Sequence, residues 1–149
     1  MKTINIKGKN YVPVVERLKE FRSSENFKNW SLETEWLSIT QEVATCRVII
    51  RDENGVLKST GTAMELRDEK SSLVNKTSHV ENAETSAVGR ALGNLGIGLD
   101  GDEVASYEEV SRAKKQQLIS SINSMIDERN REEAEKEYKL SEIGMMSIE

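Results

Sequence analysis

Residues 43–66 read VATCRVIIRDENGVLKSTGTAMEL, and this stretch decides the type of fold that we expect. In its first nine residues, one face of an extended chain would carry only small or apolar side chains, namely Ala44, Cys46, Val48 and Ile50. The other face would carry a mixed set, Thr45, Arg47, Ile49 and Arg51. Alternation with period two predicts a strand that is buried on one side. Asn54-Gly55 then favours a tight turn, so we expect residues 56–67 to return as an antiparallel strand.

Two further elements are predicted upstream of this hairpin. Residues 30–39 alternate in a similar way and predict a third strand, in which Trp30, Leu32 and Trp36 share the core-facing parity. Before it, apolar residues recur at helical spacing, at Val14, Val15, Leu18 and Phe21. Pro13 suits the first turn of a helix, where its missing N–H costs little. We therefore expect a helix over about residues 12–22.

Downstream, small apolar residues recur at helical spacing over residues 79–95: Val80, Ala83, Ala87, Val88, Ala91 and Leu95. Ser78 and Glu81 have the spacing of a capping box, and Gly96 is placed to end the helix. Small side chains allow a helix to lie close to a sheet. Gly61, inside the returning strand, likewise predicts that another backbone or a ligand approaches closely there.

A last helix is expected after a second capping box at Ser106 and Glu109. Its inward positions would be the apolar residues Val110, Ala113, Leu118, Ile122, Met125 and Ile126. Residues 127–139 are densely charged, which is typical of a solvated helix or a frayed tail.

These elements together predict an α+β fold. It comprises an N-terminal helix, a three-stranded antiparallel meander, a packed central helix that completes a β-β-β-α core, and a charged C-terminal helix. We expect a core domain over residues 1–113. Residues 114–149 would form a charged extension, helical or partly disordered.

Composition narrows the class of protein. The 149 residues are 36% hydrophobic and 32% charged, as expected for a globular domain with a solvated appendage. No apolar run approaches the roughly 20 residues of a membrane span. The N-terminus lacks the apolar stretch of a signal peptide, and the lone Cys46 cannot form an internal disulfide. We expect a cytoplasmic protein.

The net charge of −5 is unevenly distributed. Residues 1–95 contain 14 basic and 13 acidic side chains, whereas residues 96–149 contain 7 and 13. The acidity therefore lies in the C-terminal third. Phosphate binding depends on where Lys and Arg cluster, so the net charge does not exclude a nucleic-acid partner.

Three patterns that resemble catalytic motifs fail on their context. His79-Val80-Glu81 matches half of a zinc deaminase motif, but a chain with one cysteine cannot supply the other half. The glycines of residues 96–101 follow a helix rather than a strand, and acidic residues would repel a pyrophosphate there. Val104 stands where a calcium loop needs an oxygen ligand. We predict no catalytic residue, no metal site, no cofactor and no enzymatic activity, and we interpret His79 as a polar surface or capping residue.

The start of the predicted central helix has the features of a phosphate site. Lys76, Thr77 and Ser78 precede it, and free N–H groups together with the helix dipole favour an anion at such an end. Gly89 and Gly93, four residues apart, permit close packing against a strand or a neighbouring subunit. A capped amphipathic helix that only packs on the sheet is the alternative interpretation, and one helix can serve both roles.

Residues 77–98, from Thr77-Ser78 through Arg90-Ala91-Leu92 to Gly96-Ile97-Gly98, resemble the helix of phage single-strand annealing proteins. These are the ERF and Sak-type recombinases, which are related to the eukaryotic strand-annealing recombination mediator. The upstream order is similar too, with a helix start at residues 11–14, a meander turning at Asn54-Gly55, and residues 59–65. The resemblance covers about residues 7–110, and the C-terminal tail has no counterpart in it.

The resemblance implies binding and ATP-independent annealing of single-stranded DNA, in homologous recombination and repair of the phage type. It also implies assembly into a homo-oligomeric ring or filament, with DNA in a basic groove. A replication or single-strand-binding protein is a further candidate partner. The residues that we predict to contact DNA are Arg47, Arg51, Lys58, Arg67, Lys70, Lys76, Thr77, Ser78 and Arg90.

The alternative is a protein-interaction adaptor that acts through its acidic C-terminal helix in phage replication or on host proteins. A small hydrolase is third and poorly supported. An annealing protein needs Arg47, Lys58, Lys76 and Arg90 exposed and contiguous, whereas an adaptor does not.

Overall fold

The fold is α+β, as predicted. The computed structural model describes residues 1–67, 78–99, 105 and 107–146, with side-chain burial described up to residue 139. Its elements, in chain order, are β1 (Ile4–Ile6), β2 (Lys9–Tyr11), α1 (Val14–Ser23), β3 (Ser31–Ile39), β4 (Val43–Arg51), β5 (Leu57–Leu66), α2 (His79–Asn94) and α3 (Tyr107–Met146). A single 3-10 turn, Glu25–Phe27, precedes β3. Strands β3, β4 and β5 form an antiparallel sheet in that order, and β1 pairs with β2 in a separate hairpin.

The middle strand β4 confirms the predicted alternation. Ala44, Cys46, Val48 and Ile50 are fully buried. The side chains between them point to the other face, where Arg47 is exposed and Thr45, Ile49 and Arg51 are half-buried. Trp30 and Trp36 pack against the core, as their parity predicts. One face of the sheet is therefore a core face, and the other is open.

Helix α2 covers the core face through a stripe of small residues. Ala83, Ala87, Ala91 and Leu92 are fully buried against the sheet. At Gly61 the approach is so close that a Cβ there would lie 2.3 Å from the backbone nitrogen of Ala91. The prediction of close backbone contact at this glycine is confirmed.

Helix α1 packs against α2 through a buried arginine. The Arg17 side chain is inaccessible to solvent, and its Nη1 donates to the carbonyl of Gly89 at 2.7 Å. Burial lowers the pKa of Arg17, while Glu109 and Glu108 oppose that change by favouring the charged guanidinium. Pro13 occupies the N-cap of α1, one position before the helical turn in which we expected it.

The sequence interpretation missed the first hairpin. We expected no strand before residue 30, but β1 and β2 pair in register, with Ile4 opposite Tyr11 and Ile6 opposite Lys9. The turn between them places Lys7 and Gly8 at positive φ. Three-residue strands give too few alternations for a period to be visible in the sequence.

The chain divides into two compact units, residues 1–110 and 111–149. In the second unit, α3 continues without a break through the stretch where we had allowed for a frayed tail. The expectation that its apolar residues point inward is wrong for Ala113, Leu118, Ile122, Met125 and Ile126, all of which are exposed. Among the helices that the structure describes, none is both long and apolar enough to cross a membrane.

Candidate nucleic-acid interface

The open face of the three-stranded sheet carries the first two predicted contacts. Arg47 and Arg51 alternate with the buried residues of β4, so both project away from α2. Four steps along the strand separate them by on the order of 13 Å, and Ile49 lies halfway between them. On β5, Thr60 and Thr62 lie opposite Ile49 and Arg47. The middle of this face is thus a cationic and weakly apolar strip.

Glutamates of β3 form one edge of this strip. Glu35 lies directly opposite Arg47, and its Oε2 is 3.6 Å from the Arg47 Nη1. Both side chains are about half exposed, at 44% and 50%. An exposed pair at this distance contributes little to stability, so Arg47 can exchange Glu35 for a phosphate at little cost.

The turn after β4 binds the side chains of Arg51 and Lys58. Arg51 Nη1 donates to the carbonyl of Gly55 at 3.2 Å, and Lys58 Nζ lies 3.1 Å from Asp52. Partial burial of Asp52 opposes its ionisation, but hydrogen bonds from the Val56 N–H, Lys58 and the Asn54 N–H outweigh it and lower the pKa of Asp52. The turn therefore keeps a fixed negative charge beside Lys58.

Lys58 also lies over an aromatic ring. A β-bulge between Ile50 and Arg51 interrupts the regular pairing of β4 with β5 at this point. Lys58 Nζ lies 5.9 Å from the centroid of the Trp30 ring. That contact and the one with Asp52 hold Lys58 at the hairpin end of the sheet.

Arg67 lies at the opposite end of β5. Its backbone N–H donates to the carbonyl of Glu42 at 2.7 Å. Its Nε is buried and has no hydrogen-bond acceptor among the residues that the structure describes.

The predicted phosphate site at the start of α2 is only partly described. Lys70, Lys76 and Thr77 lie outside the described residues, so their part of the prediction stays a prediction. Ser78 is the N-cap residue, as expected, but its side chain accepts no capping hydrogen bond, so the predicted capping box is not formed.

We interpreted His79 as a polar surface residue or a capping residue, and the first of these is wrong. His79 is buried, and its Nε2 lies 3.0 Å from the carbonyl oxygen of Thr40. Because a carbonyl only accepts, Nε2 carries the proton and donates. The ring thus links the start of α2 to the turn between β3 and β4.

Arg90 lies on α2, on the far side of the sheet from Arg47. Its Nε donates to Glu109 Oε1 at 2.8 Å, and about half of its side chain is exposed. Arg90 is thus held in an ion pair with an acidic residue 19 positions away in sequence. Glu84, on the same helix as Arg90, accepts from the Thr34 hydroxyl. Arg47 and Arg90 are therefore not parts of one continuous surface.

A basic region was overlooked in the sequence. Residues 1–30 contain seven basic and three acidic side chains. Six of the basic ones are exposed, namely Lys2, Lys7, Lys9, Lys19, Arg22 and Lys28. A charge count in windows of about 30 residues would have found them, but in the count over residues 1–95 they are offset by residues 31–95, which contain seven basic and ten acidic side chains.

Glu16 joins the hairpin to helix α1 within this basic region. Its carboxylate accepts from Lys19 Nζ at 2.8 Å and from the backbone N–H of Lys2 at 3.4 Å. Lys19 and then Lys2 lower the pKa of Glu16 by favouring its ionised form.

One comparison with known proteins gives a match. The family model described as "Slr1353 N-terminal dsRNA-binding domain-like" matches residues 18–95, which run from within α1 to the end of α2 and include the whole sheet. No curated protein and no solved structure matches the chain. Within the described residues, no cluster of three or more His, Cys, Asp or Glu side chains could hold a metal ion.

Proposed function

Because the chain belongs to the Slr1353 N-terminal dsRNA-binding domain-like family, we propose that the open face of its sheet binds the sugar–phosphate backbone of a nucleic acid. The observation that carries this proposal is the placement of Arg47 and Arg51 on the face of β4 opposite α2, where Arg47 is exposed and Arg51 half-buried. Guanidinium groups bind phosphate oxygens through paired hydrogen bonds, and contacts of this kind do not depend on base sequence.

We propose a single strand as the ligand, because the apolar side chains of the face would contact exposed bases. Ile49 lies between the two arginines, and Met64 is exposed on β5. In a duplex the bases are stacked inside and such side chains would gain little. Glu33 and Glu35 on β3 would in addition repel a second phosphate backbone lying beside the first.

Annealing of complementary strands is the activity that we propose for the bound state. This part of the proposal is supported by the sequence resemblance to phage annealing proteins, which covers about residues 7–110. A protein that holds the backbone and leaves the base edges free allows a second strand to pair. The reaction needs no nucleotide hydrolysis in this scheme.

Double-stranded RNA is the second candidate ligand, on the strength of the family description alone. Recognition of an RNA duplex depends on the shape of its minor groove and on 2′-hydroxyl contacts. A preference for duplex RNA over every single strand would replace our first proposal with this one.

Fluorescence anisotropy with labelled single-stranded DNA, single-stranded RNA and both duplexes tests the proposal. We expect the single strands to bind best, with affinity falling steeply as salt rises. Arg47→Ala and Arg51→Ala should each weaken all single-stranded sequences alike and lower the salt slope by about one unit. The control is Arg131→Ala with Lys139→Ala, which removes two exposed charges from α3 and should leave binding unchanged.

Two results would contradict the proposal. The first is binding to single strands that does not change with salt, or no binding at low salt. The second is parental affinity in a folded double variant that lacks both Arg47 and Arg51. Strand annealing is followed separately, by the quenching of paired fluorophores on complementary oligonucleotides.

A further inference from the structure

The second unit of the chain exposes a short apolar stripe. Four large apolar side chains fall within nine residues of α3, at helical spacing, and each is 46–65% exposed: Leu118, Ile122, Met125 and Ile126. Ile119 extends the stripe and is half-buried. A stripe of this kind on a helix is normally covered by a partner.

The charges on either side of the stripe differ in sign. No acidic residue occurs between Val110 and Ile126, whereas this interval contains Arg112, Lys114 and Lys115. On the C-terminal side, glutamates dominate, at positions 128, 132, 133, 135 and 137. The helix is therefore basic before the stripe and acidic after it.

We propose that α3 pairs with the α3 of a second copy of this chain as an antiparallel coiled coil. With the twofold axis between Asn123 and Ser124, Ile122 of one helix packs against Met125 of the other. Ile119 packs against Ile126 in the same register. Apolar contacts of this kind at spacings of three and four residues form the seam of a coiled coil.

The same register pairs each of the three basic residues that precede the stripe with a glutamate of the second copy. Lys115 lies opposite Glu132 of the second copy, Lys114 beside Glu135, and Arg112 beside Glu133. The twofold axis repeats each pair, so all three kinds of contact occur twice. Opposite charges beside the seam select the partner and its orientation.

A parallel pairing of the same helices is unfavourable. It would place Lys115, Arg129 and Glu132 each beside its own copy and Glu128 beside Glu133, so like charges would face each other. In the antiparallel form Lys115 and Glu132 meet each other in the seam, and Leu118 lies opposite Arg129. Its Nε already lies 3.1 Å from Glu133 of its own helix, so its stem can cover Leu118 while its charge stays at the surface.

The paired segment is long enough for a stable association. From Arg112 to Glu135 it spans about 36 Å of helix, a little over three heptads. Residues 112–135 lie outside the matched family region, and their pairing does not depend on nucleic-acid binding. The resulting dimer would contain two copies of the first unit, each with its own three-stranded sheet.

Charge reversal tests the pairing by sedimentation at micromolar protein. The parent should have at least twice the mass of the 16.8 kDa chain. Lys114→Glu with Lys115→Glu should halve the parental mass, and so should Glu132→Lys with Glu135→Lys. An equimolar mixture of these two variants restores every charge pair and should recover the parental mass. The matched control, Gln116→Glu with Gln117→Glu, adds negative charge to the outward side of the same helix and should leave the mass unchanged.

Single cysteines test the orientation, because Cys46 is fully buried and does not compete. Lys115→Cys should form disulfides with Glu132→Cys in a mixture. It should not form them with itself, because its own copies lie about 25 Å apart in the antiparallel form. A monomeric parent, a mixture of reversed variants that stays dissociated, or self-linking of Lys115→Cys would each overturn the proposal.

Discussion

Gly61 is the residue at which the sheet and α2 touch through their backbones. A Cβ at this position would lie 2.3 Å from the Ala91 nitrogen and 2.4 Å from the Ala87 carbonyl oxygen. Neither backbone atom can move without shifting the helix as a whole. The glycine therefore sets the distance between the two layers of the core.

We expect Gly61→Ala to destabilise the fold by about 3 kcal/mol, the upper end of the usual cost of overpacking. Urea denaturation followed by circular dichroism measures the change. Thr62→Ala is the control, because Thr62 is exposed on the open face next to it. A Gly61→Ala variant with parental stability would show that α2 can move away from β5.

At the scale of single elements, α1 takes its N-terminal cap from a distant part of the chain. The N-cap residue Pro13 has no side chain that could accept a hydrogen bond. The carboxylate of Glu108 accepts instead from the N–H of Val14, at 3.2 and 3.3 Å. A carboxylate also suits the positive end of the helix dipole.

We expect Glu108→Ala to cost about 1 kcal/mol of stability, as the loss of an N-cap usually does. Thermal unfolding of parent and variant measures the difference. Glu108→Gln keeps an acceptor and should retain part of the stability. Equal losses in both variants would indicate that the charge matters more than the hydrogen bond.

At the scale of the whole molecule, every buried core residue that the structure describes lies in the first unit, none beyond Ile97. Truncation after Ile126 should therefore leave the thermal midpoint of the sheet unchanged, because no core contact is removed. The same truncation deletes the glutamates that the proposed coiled coil requires, so the mass should fall by half. Calorimetry and sedimentation of the truncated chain check both outcomes. An unfolded or precipitating product would show that the first unit needs the tail.

Local patterns were sufficient to predict the architecture. Alternation along β4, the turn at Asn54-Gly55 and the small-residue spacing of α2 depend only on neighbouring residues, so they can be read directly from the chain. The buried face of β4 was predicted correctly for the same reason. The hairpin β1–β2 was missed because its strands are too short to show a period.

The acidic partners of the predicted cationic residues could be identified only from the folded structure. Arg47, Lys58 and Arg90 are adjacent to no acidic residue in sequence, yet Glu35, Asp52 and Glu109 pair with them across strands and between helices. The position of each cation relative to the sheet depends on how α2 packs on it. The spacing of neighbouring residues in the sequence does not specify that packing. The sequence therefore identified the types of residue that we propose to bind phosphate, whereas packing determined that Arg47 and Arg51 lie on the sheet face opposite α2 and that Arg90 does not join them.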